Sequence, residues 1–473
     1  MADGEEGGPR EKFNFDLSST EHERAERLYA ILARSKKFYR YPTGTILFLS
    51  EGRFQEQTDP WTFNGSLVSL VSFETGKGKF RSLEYKDLAA LLASQARFSL
   101  PVIEDIITSP KVFDTGRGPE LFKPGLNAIG KYQVYYARHP DPTIIEPEPL
   151  PGVEHLKACF APFPVVGPGD LANVIAWLVG GVVYGNMTTP LLMVNGNMPG
   201  LGKTTLIQAV AYILEGKDVA ATPAYGSEFS KNVGAKLAST DHIVLLDNVV
   251  TRGGREFDNP DLSTYLTQPS TDIRKLGTNE FHSGRQLLFA MSINNARLAT
   301  DIALRSLVVQ LNSERSVPLV PYPLKYARDH RRELYGELLG LALSRPGPVP
   351  LPDYSFRFVD WWNTCAPRVS PYFGPLCLSR AAVDAATQEV VDLLGDLQEF
   401  TPSDLLTRID SQVDAYGSII DRLGKGSERS RITRLGKLLA PLIDVKTAVV
   451  GAPAMTLRKR DVKPASYFIE RGE

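Results

Sequence analysis

Lys203 and Thr204 close the run Gly196-Asn197-Met198-Pro199-Gly200-Leu201-Gly202-Lys203-Thr204-Thr205, and Asp247 closes the later run Ile243-Val244-Leu245-Leu246-Asp247. An ammonium, a hydroxyl and a carboxylate are the groups that a magnesium-bound triphosphate requires. Lys203 can reach the β and γ phosphates, while the Thr204 hydroxyl and the Asp247 carboxylate are hard oxygen ligands suited to Mg2+. Gly196, Gly200 and Gly202 let backbone N–H groups point at a polyanion without a Cβ in the way; Asn197 and Thr205 complete the cradle. The strict phosphate-loop pattern wants glycine where this chain has Asn197. Asparagine tolerates positive φ better than most residues, so the loop survives the exchange. The expected ligand is ATP with Mg2+.

Other residues bear on whether that triphosphate would be cleaved. Asn248 follows Asp247 where many ATPases carry a glutamate that polarises water, and an amide cannot accept the proton. Asp241, Glu228 and Glu280 are alternative carboxylates; positioning and charge stabilisation also dominate phosphoryl transfer. Asn294 or Asn295, ending the apolar run from Gln286, can hydrogen-bond a γ-phosphate or a water, or simply form a turn. Arg305 carries a planar fork that fits phosphate. It can equally pair with Asp301 four residues earlier. Arg274 and Lys275 make a basic loop that could meet nucleotide or DNA.

These side chains need a scaffold. Apolar runs Leu191–Asn195, His242–Asp247, Gln286–Asn294 and Leu307–Leu311, with helix-forming stretches between them, predict an α/β sheet over 160–345. A carboxylate at the carboxyl end of such a strand emerges beside the phosphate loop. Residues 1–14 read as disordered. Residues 15–150 read as a small α+β domain, with helices over Ser19–Lys36 and Tyr85–Gln95. Its strands are expected at Tyr39–Tyr41, Thr45–Leu49 and Leu67–Phe73, ahead of a proline-rich passage through Pro151. A helical linker is expected over 350–398 (Tyr354–Gln398). Over 399–473, helices at Pro402–Ile409 and Arg431–Ile443 precede strands at Val445–Val450, Met455–Arg460 and Ser466–Ile469. Helices followed by a β-ribbon predict a winged helix-turn-helix.

Composition narrows the class. The 473 residues are 43% hydrophobic and 23% charged, with a net charge of −1, so any nucleic-acid contact must come from local patches. From Phe400 to Glu473, thirteen Lys and Arg stand against nine Asp and Glu. Arg422, Lys425, Arg429, Arg431, Arg434 and Lys437 surround the expected recognition helix, and Arg458, Lys459, Arg460 and Lys463 lie on the wing. Phosphate contacts from such residues would supply salt-sensitive duplex DNA binding, against an ordinary charged surface used for subunit contact. Cys159, Cys365 and Cys377 lack metal-ligand spacing and read as free thiols. The polar, acidic start is unlike a signal peptide. Leu171–Tyr184 is too short and glycine-broken to span a bilayer, so it is expected to be a buried helix, and the protein soluble and cytoplasmic.

The segments NGNMPGLGKTTL, HIVLLDNV, DIRKLGTNEF and LLFAMSINNARLATDIALRS, with the winged-helix pattern, resemble a family of phage- and mobile-element-borne AAA+ ATPases. That family is similar to superfamily 3 and related self-loading replicative helicases. The resemblance implies a P-loop NTPase core with an α+β N-terminal domain and a C-terminal winged-helix domain. It places the family's loop lysine and hydroxyl on Lys203 and Thr204, and its Walker B aspartate on Asp247. Its sensor asparagine falls on Asn294 or Asn295, and its arginine finger on Arg305, where Ser306 replaces a frequent second arginine. The Asp247-Asn248 pair resembles this subgroup. The implied activity is that of a homohexameric Mg-ATP-driven DNA helicase or origin-remodelling ATPase of a phage, plasmid or integrated element. Single-stranded DNA would pass through its pore, with Lys275 on a pore loop. A nucleotide-gated DNA-binding switch with little hydrolysis is the alternative that Asn248 favours. A metabolic P-loop kinase would leave the asparagine-to-arginine series and the basic tail unexplained.

Overall fold

Four strands made almost wholly of apolar residues form the centre of this mixed α/β chain. The computed structural model describes residues 10–14, 19–42, 44–75, 79–130, 132–137, 146–185, 187–196, 200–238, 242–249, 257–268, 271–274, 281–284, 287–294, 298–311, 322–351, 357–376, 390, 393–394, 397–412, 419–420, 423–439, 446–449, 452–460 and 466–471. The central sheet runs in the order Ile243–Val249, Leu288–Asn294, Leu191–Gly196, Ser306–Leu311, and every pairing in it is parallel. A parallel sheet is covered on both faces, which explains why these strands lack polar alternation. Leu191 to Val194 and Ile243 to Leu246 are all buried. An isolated parallel bridge from Ala221 to Leu245, with Thr222 N donating to Leu245 O at 2.7 Å, extends the sheet beyond the Asp247 strand.

Two helices cover the sheet through close backbone approaches. Pro168–Val182 buries every residue from Ala172 to Val182. A Cβ on its Gly180 would lie 2.5 Å from Trp361 Nε1, and one on Gly181 would lie 2.6 Å from Leu214 Cδ1. Glycine is therefore the residue that fits at both points. Lys203–Glu215 follows the glycine-rich turn and ends at Gly216, whose φ of 73° gives the left-handed cap that only glycine adopts without strain.

The structure redraws several expected boundaries. Glu11–Asn14, expected to be disordered, is a strand paired in parallel with Val71–Glu74, and Phe13 is buried against that register partner's face. Leu67–Leu70 is the end of a helix, Pro60–Leu70, rather than a strand. The Asp59 side chain accepts from Trp61 N and Thr62 N at 3.0 Å each, and Pro60 fills the first helical turn. The proline-rich passage holds five strands, Asp105–Ile107, Val112–Asp114, Pro119–Leu121, Gly125–Ile129 and Tyr132–Tyr136. Of these, Val112–Asp114 pairs in parallel with Val183–Tyr184, and Val112 belongs to the central core. Part of the first 150 residues is thus built into the central sheet's surroundings.

The expected linker is also core. Val359–Phe373 packs on the helix Pro168–Val182, and its Trp361, Cys365, Ala366 and Val369 are fully buried in the central cluster. Beyond it, helices Pro402–Ser411 and Glu428–Leu439 pack with the antiparallel strands Glu399–Phe400, Ser466–Arg471, Ala452–Arg460 and Lys446–Val449. This C-terminal unit has its own core, centred on Leu406, Ile409, Leu435, Leu439, Leu457 and Tyr467. No helix among the described residues is long and apolar enough to cross a membrane.

Candidate functional site

The glycine-rich turn gets its shape from two residues in the left-handed region, Gly200 at φ 83° and Gly202 at φ 85°. Any side chain there would be strained, so the turn enforces these glycines by backbone conformation. Gly202 is also the residue before the helix Lys203–Glu215, which aims the free N–H groups of the first turn at whatever occupies the loop. Gly196, the last residue of its strand, lies under the tips of two side chains. A Cβ there would approach Lys203 Nζ to 3.1 Å and Leu201 Cδ1 to 2.9 Å.

Lys203 lies back over this strand end and is only 8% exposed. Burial pulls its ammonium below the ordinary lysine range. A cation held in partial desolvation gains more from an arriving polyanion than one in bulk water. Thr204 and Thr205, half-buried in the same turn, follow it on the helix.

Thr204 meets Asp247 across the sheet edge, its Oγ1 donating to Asp247 Oδ1 at 2.8 Å. The parallel sheet produces this contact by bringing the carboxyl ends of its strands together. Asp247 Oδ1 accepts two further protons, from Ser292 Oγ and, at 2.9 Å, from the backbone N of Asn248. Ser292 Oγ in turn accepts from Asn248 N at 2.8 Å. All three donors converge on one carboxylate oxygen. Asp247 Oδ2 takes no hydrogen bond among the described residues, so this oxygen and the Thr204 hydroxyl form a donor pair that fits a small hard cation.

Asn248 has φ 52°, the left-handed region where asparagine is the most tolerant non-glycine residue, and its side chain is exposed. Asn294 ends its strand in register with Gly196, which sets its backbone beside the loop. Ser292 was not anticipated from the sequence. One signal could have found it: it is a polar residue inside the apolar strand Leu288–Asn294, two positions before the terminal asparagine.

Arg305 stands elsewhere. The register pairs Leu191 with Ser306 and Gly196 with Leu311, so Arg305 lies at the opposite end of the sheet from the loop, roughly 20 Å away at about 3.3 Å per strand residue. It does not approach the glycine-rich turn of its own chain. Its guanidinium is 7% exposed and held by Asp301 and by Ser263 O, so the salt-bridge alternative is the one observed. Among the alternative carboxylates, Glu228 is exposed and takes a 2.7 Å bond from Lys231. Arg274 ends the strand Thr271–Arg274, which pairs antiparallel with Phe281–Gly284. Arg274 of the expected basic loop is thus a strand residue. Asn197, Asp241, Lys275, Glu280, Asn295, Arg422, Lys463 and Cys377 lie outside the described residues.

The C-terminal basic residues divide into two sets. Arg431 forms a two-armed pair with Asp410, Arg458 meets Glu470 at 2.9 Å, and Arg460 meets Glu399 at 2.8 Å. Arg434 donates to the carbonyls of Leu423 and Lys425. Lys425, Arg429, Lys437 and Lys459 are exposed and have no acidic partner among the described residues. Arg429 and Lys437 are eight residues apart on the helix Glu428–Leu439 and share one face.

No protein-family model matches this chain, and no curated protein is similar to it. Solved structures superpose loosely. The apo A form of the NrS-1 C-terminal region is 12% identical with a TM-score of 0.45, covering 94% of this chain and 98% of that one. A second structure of that region, residues 305–718, is likewise 12% identical, with a TM-score of 0.43 over 95% of this chain and 99% of that one. JCV helicase is 16% identical with a TM-score of 0.28 over 44% of this chain and 59% of its own.

Proposed function

We propose that this chain binds Mg-ATP at the turn Gly196–Thr205 and hydrolyses it to drive work on DNA, as a helicase or origin-remodelling ATPase. The observation that carries the reading is the 2.8 Å contact between Thr204 Oγ1 and Asp247 Oδ1, at the carboxyl edge of a parallel sheet and beside the buried Lys203. Lys203 holds the β and γ phosphates, and the first-turn N–H groups complete the cradle. Thr204 and Asp247 would hold Mg2+, which when bound neutralises phosphate charge. Asn294, whose backbone pairs with Gly196, would orient the γ-phosphate or water. Arg305, remote from the site of its own chain, can act only on a neighbour's nucleotide and only after leaving Asp301. That requirement fits a ring, such as a homohexamer, better than a lone subunit. The basic segment Arg274-Lys275 is proposed to line a pore and touch single-stranded DNA. The C-terminal unit, read as a winged helix, would hold duplex DNA through Lys425, Arg429 and Lys437.

A second reading is favoured by Asn248, an amide on the exposed side of the Asp247 cage. With no acid there, ATP would gate DNA binding and turn over slowly. Turnover measured with and without single-stranded DNA separates the two. Strong stimulation supports the motor, and tight ATP binding without hydrolysis supports the switch. A wild-type protein that binds no nucleotide would exclude both.

A further inference from the structure

The geometry points to Ser292 as a positioning residue that decides which oxygen of Asp247 is offered to magnesium; the inference rests on the nucleotide-binding reading above. Ser292 is 2% exposed, and its hydroxyl does two things at once. It donates to Asp247 Oδ1 and accepts from the backbone N of Asn248 at 2.8 Å. A carboxylate on a strand end can rotate about χ2, and its two oxygens are then equivalent. Ser292 and Asn248 N break that equivalence by fixing donors on Oδ1. Thr204 also donates to Oδ1 at 2.8 Å, and its lone pairs stay available to a cation while it does so. Ser292 is the side-chain donor on Oδ1 that would not itself be a ligand, and with it Oδ2 is the oxygen left to offer to the ion.

The same hydroxyl holds the backbone at Asn248. Its N–H reaches both Asp247 Oδ1 and Ser292 Oγ, at a residue whose φ is 52°. Ser292 thus joins the neighbouring strand to the turn after Asp247, where the register of the two strands shifts between Leu246 and Val249. A hydrophobic residue of similar size would fill the space yet leave Asn248 N with one acceptor fewer.

The test is a magnesium titration of binding of a fluorescent ATP analogue by the full chain, with affinity in excess chelator measured alongside. Ser292→Ala is expected to raise the magnesium midpoint roughly tenfold or more, the usual effect of losing a partner behind a metal ligand. Its affinity for nucleotide without magnesium should match wild type. Ser292→Thr keeps the hydroxyl and should return the midpoint toward wild type. If Ser292→Ala does not fold, Ser292→Cys carries the test, since a thiol fills the site but donates weakly. A raised midpoint in either variant supports the role. A wild-type midpoint in a folded Ala or Cys variant overturns it while leaving nucleotide binding intact. Absence of nucleotide binding by the wild type sinks the underlying reading instead.

Discussion

Arg305 grips Asp301 with two arms of its guanidinium, Nε donating to Oδ2 at 2.9 Å and Nη2 to Oδ1 at 2.6 Å. The third arm, Nη1, donates to Ser263 O at 3.1 Å. This fork ties the turn before the strand Ser306–Leu311 to the helix Pro260–Thr267. Arg305→Ala is therefore expected to cost roughly 1–2 kcal/mol of stability, reduced from the usual value for charged hydrogen bonds because Asp301 is partly exposed. Thermal melting without nucleotide reads this directly. An unchanged melting temperature would mean the fork is not structural and would return Arg305 to a role at a neighbour's site.

The same pair predicts a pH dependence. The hydrogen bond from Arg305 is the main cause holding the Asp301 carboxyl below its ordinary range. Its folded pKa is lower than its unfolded one, so the stabilisation is complete above the unfolded value near 3.8 and is lost as pH falls through the depressed value. Wild type should lose melting temperature more steeply than Asp301→Asn on acidification below about pH 4. Parallel acid profiles would disprove the linkage.

Lys203 makes an opposite kind of prediction. Its ammonium is desolvated before any phosphate arrives. Lys203→Ala is first melted without nucleotide, to set the baseline of the free protein. The same substitution should abolish the upward shift that Mg-ATP produces in wild type, a shift that follows from ligand binding only the folded state. A normal Mg-ATP shift in Lys203→Ala would remove this lysine from the site.

Asn248 is constrained by backbone more than by side chain. At φ 52° a β-branched residue is a steric outlier, so Asn248→Val should cost about 1–2 kcal/mol, and Asn248→Gly should fold as well as wild type. Chemical denaturation of the two variants checks this. Equal midpoints would show that the turn relaxes without loss.

For DNA, the free and paired cations should behave differently. Replacing Lys425, Arg429 and Lys437 with Ala should reduce the slope of log affinity against log salt by up to about 0.9 per residue. Arg431→Ala should chiefly lower stability, since its fork is spent on Asp410. Replacing Arg458, Lys459 and Arg460 together should change the slope less than three free cations would, because Arg458 and Arg460 are paired with Glu470 and Glu399. Fluorescence anisotropy at several salt concentrations separates these outcomes.

Local signals located much of the scaffold. The four central strands lie within two residues of their expected bounds, because a long apolar run between turn residues has few other ways to be buried. Thr20 caps the helix Glu21–Arg34 through a reciprocal bond with Glu23, a pattern visible in the chain itself. Where two local signals competed, the apolar one misled. Leu67–Phe73 looks like a strand, yet the Asp59-Pro60 start had already committed the segment to a helix as far as Leu70.

Sequence by itself determined the residue types at the loop, because positive φ at Gly200 and Gly202 is a requirement of single positions. It also brought Thr204 and Asp247 into consideration together, since both stand at ends of apolar runs. Only the tertiary structure decided which partner each polar group takes. Pairing across strands delivers Ser292 to Asp247, sets Arg305 on the far edge with Asp301, and turns an expected linker into core against Gly180. The reason is physical: hydrogen bonds and close backbone contacts between distant segments depend on register and packing, which no local run of residues encodes.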